Sequence, residues 1–273
     1  MRPTGRKGGV FMQTIVFKCG GSIVDELPES FFEMLGTLKA THDVAPVIVH
    51  GGGPMISSKL KQLNVTSTFV DGLRVTTNEV LDVVEMVLSG AVNKQIVRKL
   101  SQYNDKVMGI SGVDGGLLKA VPVKKASQIG YVGEVTDVND DFLTTLSTNG
   151  YIPVISPIAL GSDAQRYNIN ADMAAAAIAE RLSAPLLFIS DIPGVKQDER
   201  VLNHLCQKEI EALIEAGTIY GGMIPKVQSA LKALDKGVPE VAIVSGLEEK
   251  AVHQFIAGES VGTRITLSEV SYV

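Results

Sequence analysis

Several short stretches of this chain carry residue types able to do chemistry. Lys18-Cys19-Gly20-Gly21 places an ammonium within two residues of a glycine turn. Gly51-Gly52-Gly53 precedes Pro54, a good first-turn residue, so these glycines open a helix whose dipole and free N–H groups favour an anion. Glycines at strand ends also make plain tight turns. Two such turns within the first 53 residues, one with a lysine, point instead to phosphate or carboxylate binding. Further along stand Asp71-Gly72-Leu73-Arg74-Val75-Thr76, Tyr167-Asn168-Ile169-Asn170-Ala171-Asp172, Ser190-Asp191-Ile192-Pro193-Gly194-Val195 and Gly221-Gly222-Met223-Ile224-Pro225-Lys226. Taken singly these read as a surface turn, a helix cap and loops.

Other chemistries find no support. No Gly-Lys dipeptide occurs, so the Walker A loop is missing, and Ile56 stands where a Gly-x-Gly-x-x-Gly starting at Gly51 needs its third glycine. Gly109-Ile110-Ser111-Gly112-Val113 fails the nucleophile-elbow pattern at its last position, and His42, His50, His204 and His253 lack zinc-ligand spacing. His50, at the end of an apolar run, is open to a packing role or a proton-carrying one.

The elements that must position these residues alternate between strand and helix. Apolar, β-branched runs at 14–19, 44–49, 107–110, 152–158, 186–190 and 241–244 predict buried strands. Helical spacing predicts helices at 28–40, from 54, 78–103, 138–148, 171–182, 208–216, 224–236 and 249–257. Alternating short runs over 117–135 predict a half-exposed antiparallel hairpin excursion. The expected architecture is α/β, a three-layer αβα sandwich around a mostly parallel central sheet. Residues 1–13 are expected to be a loose tail, with Met12 the functional beginning. Residues 14–273 are expected to form a single domain, its lobes dividing near residue 170 and sharing one sheet.

Composition narrows the function further. The 273 residues are 45% apolar and 20% charged, with 25 basic against 30 acidic side chains, a net charge of -5. That balance argues against a nucleic-acid partner, whose phosphates are met by clustered positive charge. The uncharged stretch 142–162 is too polar and too broken by proline to span a bilayer, so no membrane role is expected. Two distant cysteines, Cys19 and Cys206, fit a reducing, cytoplasmic setting.

The six quoted motifs, in this order from about residue 14 to 267, resemble the amino acid kinase family. The resemblance implies the fold of that family and transfer of the γ-phosphoryl group of ATP, carried with Mg2+ bound mainly through the nucleotide phosphates. The member it most resembles phosphorylates the side-chain carboxylate of N-acetyl-L-glutamate, giving N-acetyl-L-glutamyl 5-phosphate, a step of arginine biosynthesis. Such a carboxylate is ionised at neutral pH and needs no general base. The protein must instead overcome repulsion between anions by alignment and charge stabilisation.

Position by position, the resemblance implies catalytic roles for Lys18 on the acceptor side, Lys226 at the β-γ bridge, and Asp172 holding both lysines in orientation. Gly21, Gly52 and Gly53 would offer N–H groups to the acceptor and the moving phosphoryl. Arg74 would clamp the α-carboxylate with its planar fork, and Asn168 would meet the N-acyl amide, with Asn170 assisting. Gly20, Asp191, Gly194 and Lys196 would serve ATP. No residue is expected to form a dedicated metal site.

Cys19 stands where relatives carry an apolar residue and is read as a buried apolar group. Arginine-inhibited hexameric members carry an extra N-terminal helix, which Pro3, Gly5, Gly8 and Gly9 disfavour here, so a homodimer with little arginine inhibition is expected. The stripe from Val80 to Leu88 is open to a dimer surface or to core packing. Rival readings are other kinases of the family, an enzyme acting on N-acetyl-aminoadipate, and a non-catalytic nucleotide-binding sensor.

Overall fold

Each of the long apolar runs forms a strand, and the strands join into one eight-stranded sheet. The structure, a computed structural model, describes residues 13–268. The expectations about residues 1–12, including the loose tail, the start at Met12 and the lack of an N-terminal helix, lie outside the described residues.

Strand order runs His204–Cys206, Thr263–Thr266, Val241–Ser245, Leu186–Ser190, Gln13–Cys19, Val44–His50, Ile152–Ser156, Val107–Ser111. All neighbours pair in parallel except Val241–Ser245 with Thr263–Thr266. The first strand is central: Lys18 lies in register between Phe188 and Val49. Parallel strands covered on both faces must be apolar throughout, and Val44–His50, Ile152–Ser156, Leu186–Ser190 and Val241–Ser245 are buried at every residue.

Alternate side chains feed two cores. On one face Val16, Val49, Phe188 and Ile243 pack with helices Asp140–Thr148, Ala171–Leu182, Gln207–Glu215 and Met223–Asp235. On the other, Phe17, Ile48, Ile189 and Val244 pack with helices Glu29–His42, Gly53–Gln62 and Ala251–Ile256 and with the long helical segment after Thr77. The three-layer sandwich is present.

Four expectations are corrected. The segment 78–103 is not one α-helix: α-helical Asn78–Glu85 passes through a π-helical stretch, Met86–Val92, into α-helical Asn93–Leu100. Hydrophobic periodicity does not register a widened turn that keeps the same stripe buried. That stripe, Val80, Val83, Val84, Val87 and Leu88, lies in the core of this chain, so it is no candidate dimer surface. The strand expected at 152–158 breaks at Pro157, and Ile158–Leu160 leaves the main sheet. It joins Leu118–Pro122, Val132–Val138 and Arg166–Ile169 in a small closed barrel, so the expected hairpin excursion is a mixed four-stranded unit. Helix 138–148 begins at Asp140, because Val138 still belongs to a strand and Asn139 caps the helix by accepting from the N–H of Phe142.

Candidate active site

The motif residues gather where the central strands end. Gly20-Gly21 follows the first strand, and Gly51-Gly52-Gly53 follows its neighbour Val44–His50. The two turns touch: a Cβ on Gly21 would lie 2.3 Å from the backbone nitrogen of Gly52, which only glycine avoids. A Cβ on Gly52 would lie 2.7 Å from Leu88, on the π-helical stretch. Gly53 faces open space. No side chain caps helix Gly53–Gln62, and its N-terminus carries partial positive charge.

His50 sits directly beneath this turn, fully buried. Its Nδ1–H donates to the carbonyl of Gly51 at 3.0 Å, and its Nε2 accepts from Asn93 Nδ2 at 3.2 Å. Asn93 also reaches the carbonyl of Val154 at 2.8 Å. Burial, offset only in part by the Gly51 hydrogen bond, pulls the His50 pKa down to about 4. The imidazole is therefore neutral at physiological pH and inaccessible, which settles its two readings in favour of a positioning role.

Lys18 projects from the first strand toward helix Ala171–Leu182. Its ammonium lies 2.7 Å from Asp172 Oδ1, with both side chains largely covered. That carboxylate oxygen is buried and receives no aligned hydrogen bond, so it is met by charge rather than by a directed bond. The helix cap is Asn170, whose Oδ1 accepts from the N–H groups of Asp172 and Met173. Asp172 is thus free of capping duty, and Asn170 is committed to it.

Lys226 lies in the first turn of Met223–Asp235, on the same face of the sheet as Lys18. Its Nζ donates to Ser190 Oγ at 2.6 Å and to Asp191 Oδ1 at 3.2 Å. Since Cys19 is in register with Ile189, Ser190 ends the strand beside Gly20, and both lysines stand at the C-terminal end of the central strands. Asp172 was expected to hold both. Here it meets Lys18, while Ser190 and Asp191 hold Lys226. Burial would raise the Asp191 pKa, but hydrogen bonds from Ser190 and Lys226 and the lysine charge outweigh it and leave it below the ordinary value.

A cavity of about 160 Å3 is lined by Gly51, Gly52, Gly53, Arg74, Leu88 and Asn168, among others. It brings together residues from three separate motifs. Asn168 donates to Thr76 Oγ1 at 3.1 Å. Arg74 is 7% exposed and bonded to Ser57, Ser67 and the carbonyl of Gly53, so its fork is already partly engaged. Burial draws its pKa below the usual arginine value.

Gly194 and Lys196 are placed differently. Gly194 has φ 151°, and a Cβ there would lie 2.6 Å from Thr263 Oγ1, so internal packing already demands glycine. Lys196 stands exposed on the two-residue strand Lys196–Gln197, 3.8 Å from Glu199. Cys19 is a buried thiol whose pKa burial pushes up to about 12, an apolar filler. Among the described residues no three His, Cys, Asp or Glu side chains converge as a metal cage. Ser57 and Ser67 escaped the sequence reading, and Thr76 and Ser190, though inside quoted motifs, were given no role, because a hydroxyl that braces a polar side chain has no spacing signature of its own.

Comparison with known proteins agrees with this geometry. The profile of the amino acid kinase family matches residues 13–245. Acetylglutamate kinase from Oceanobacillus iheyensis is 46% identical over 266 residues, 96% of this chain and 100% of its own. Acetylglutamate kinase from Geobacillus thermodenitrificans is 53% identical over 234 residues, 85% of this chain and 90% of its own. Among solved structures, carbamate kinase from Giardia lamblia bound to AMP-PNP superposes with a TM-score of 0.68 at 17% identity, covering 94% of this chain and 99% of that one.

Proposed function

This chain belongs to the amino acid kinase family, and from that premise we propose that it transfers the γ-phosphoryl group of ATP to the side-chain carboxylate of N-acetyl-L-glutamate. The product is N-acetyl-L-glutamyl 5-phosphate, an acyl phosphate on the route to arginine. The observation that carries the reading is the joint presence, at the C-terminal end of the central strands, of the Lys18–Asp172 pair and a cavity lined by three glycines, Arg74 and Asn168. The near-complete match to relatives named acetylglutamate kinase supports the same substrate.

In this reading Arg74 meets the α-carboxylate and Asn168 the acetamido group, which directs the distal carboxylate toward the glycine turns. Gly21, Gly52 and Gly53 present N–H donors to the oxygens of the moving phosphoryl. Lys18 neutralises charge between acceptor and phosphoryl. Lys226 leaves Ser190 for the leaving oxygen of the nucleotide, whose contacts fall to Gly20 and, in the nucleotide lobe, to Asp191, Gly194 and Lys196. A Mg2+ ion would travel on the nucleotide phosphates, since the carboxylates near the site are spent on lysines. The acceptor lobe spans about 14–170 and the nucleotide lobe about 171–273.

We place the reaction in the cytoplasm, in keeping with the free thiols Cys19 and Cys206, and assign the enzyme as a homodimer, which sedimentation equilibrium tests by returning twice the chain mass. The function itself is tested by ATP turnover with N-acetyl-L-glutamate, trapping the acyl phosphate with hydroxylamine. Hydroxamate should form in step with ADP, and kcat/KM should exceed that for N-acetyl-aminoadipate. A preference for the longer acid would replace the substrate, and ATP binding without turnover would make the chain a sensor.

A further inference from the structure

A guanidinium on a two-residue strand has little local structure to fix it. Arg74 ends the short strand Leu73–Arg74, paired only with Phe69–Val70. Its direction is set by other groups: Nη1 donates to Ser67 Oγ at 2.5 Å, Nη2 donates to Ser57 Oγ at 2.8 Å and to the Gly53 carbonyl at 3.2 Å, and the Phe69 ring lies 4.6 Å from the guanidinium carbon. Three bonds from five N–H donors leave two for a ligand.

Arg74 also forms a partition. It lines the acceptor cavity and, on its other side, a second cavity of about 400 Å3. Ser57 and Ser67 line only the second. Both hydroxyls therefore grip the guanidinium from behind and do not face the acceptor cavity. Ser57 belongs to helix Gly53–Gln62, the helix whose first residues form the glycine cradle. Through Ser57 and the Gly53 carbonyl, the carboxylate clamp is referenced to the same rigid element as the phosphoryl cradle.

We propose that Ser57 and Ser67 are positioning residues that fix the separation between Arg74 and the glycine cradle, and so make the site measure the length of its dicarboxylic acceptor. The inference rests on the acceptor reading above. An acid one methylene longer fits only if the clamp retreats, and a single methylene by itself discriminates weakly. A braced guanidinium resists that retreat, whereas one held by the Phe69 face and the Gly53 carbonyl alone can yield.

The test is steady-state kinetics on Ser57→Ala, Ser67→Ala and the double variant, with N-acetyl-L-glutamate and N-acetyl-aminoadipate in parallel. Ser57 is exposed and Ser67 half-buried, so neither truncation opens the core. In the double variant KM for acetylglutamate should rise about tenfold, in the range of coupled neighbours, while KM for ATP stays within about twofold. The kcat/KM ratio favouring acetylglutamate should fall by about threefold or more, and Ser57→Thr and Ser67→Thr should restore both values. In an Arg74→Ala background the serine truncations should add nothing. An unchanged acid ratio, or the same loss in the Arg74→Ala background, would overturn the proposal. Absence of turnover by the unaltered enzyme would instead overturn the acceptor reading, so the two failures are distinct.

Discussion

At the scale of single residues, the site holds its two ammonium groups in different ways. Lys18 is paired in a covered setting with Asp172, and Lys226 is held by a hydroxyl and a more exposed carboxylate. The pairings suit different tasks. A lysine in a covered ion pair is fixed in place, while one on an exposed pair exchanges partners at little cost, because exposed pairs contribute little. Lys226→Ala should therefore leave the fold intact and lower kcat roughly 100- to 1000-fold, the scale of losing one preorganised donor to the transition state. Activity within tenfold of the unaltered enzyme would remove Lys226 from the reaction.

At the scale of elements, positioning is done by turns that touch and by a helix that widens. Gly21 and Gly52 meet backbone to backbone, so neither turn can move without the other. Gly21→Ala forces them apart, and a displacement of the order of 1 Å at reacting groups costs about 100-fold in rate, the loss expected in kcat/KM. Near-normal activity in that variant would show the turns to be independent. The π-helical stretch Met86–Val92 presses Leu88 and Val92 onto Gly52, then delivers Asn93 to His50.

Much of this was legible in sequence, and unevenly so. Strand, glycine and helix stand out because apolar runs, Gly-Gly and Pro54 each act locally. Lys18 stands out because an ammonium at the end of a buried strand, beside a glycine turn, needs a reason, whereas the roles of Lys226 and Asp172 came only with the family resemblance. The π-helical stretch does not stand out, since its stripe stays apolar through the widened turn. The small barrel escaped as well, because Ile158–Leu160 and Arg166–Ile169 are short and, beyond their own hairpin, find partners far back along the chain. Hydroxyl braces such as Ser67 and Ser190 are visible only once tertiary distances exist.

At the scale of the whole molecule, one sheet joins the two halves through the pairing of Gln13–Cys19 with Leu186–Ser190, and the lysines sit on either side of that seam. The His50–Asn93 network ties the second strand, the long helical segment and Ile152–Ser156 together beneath the cradle. This network makes stability depend on pH. With a folded pKa near 4 against the ordinary 6.5, His50 stays neutral in the fold while the unfolded chain takes up the proton. Its contribution is complete above pH 6.5 and is lost as pH falls toward 4, about 3 kcal/mol in all. Urea unfolding of the protein and of His50→Gln across that window should show the steeper decline only in the former. Parallel curves would place the histidine in a more solvated setting.

The central claim is that both ammonium groups converge on the phosphorus in flight. The direct measurement is a crystal structure with N-acetyl-L-glutamate, ADP and a planar phosphoryl mimic between them. The account predicts the Nζ atoms of Lys18 and Lys226 each about 3 Å from ligand atoms of the mimic, with the cradle N–H groups of Gly21 and Gly52 bonded to it. Lys226 still seated on Ser190 and Asp191 beside a bound mimic, or the mimic held away from Lys18, would contradict it.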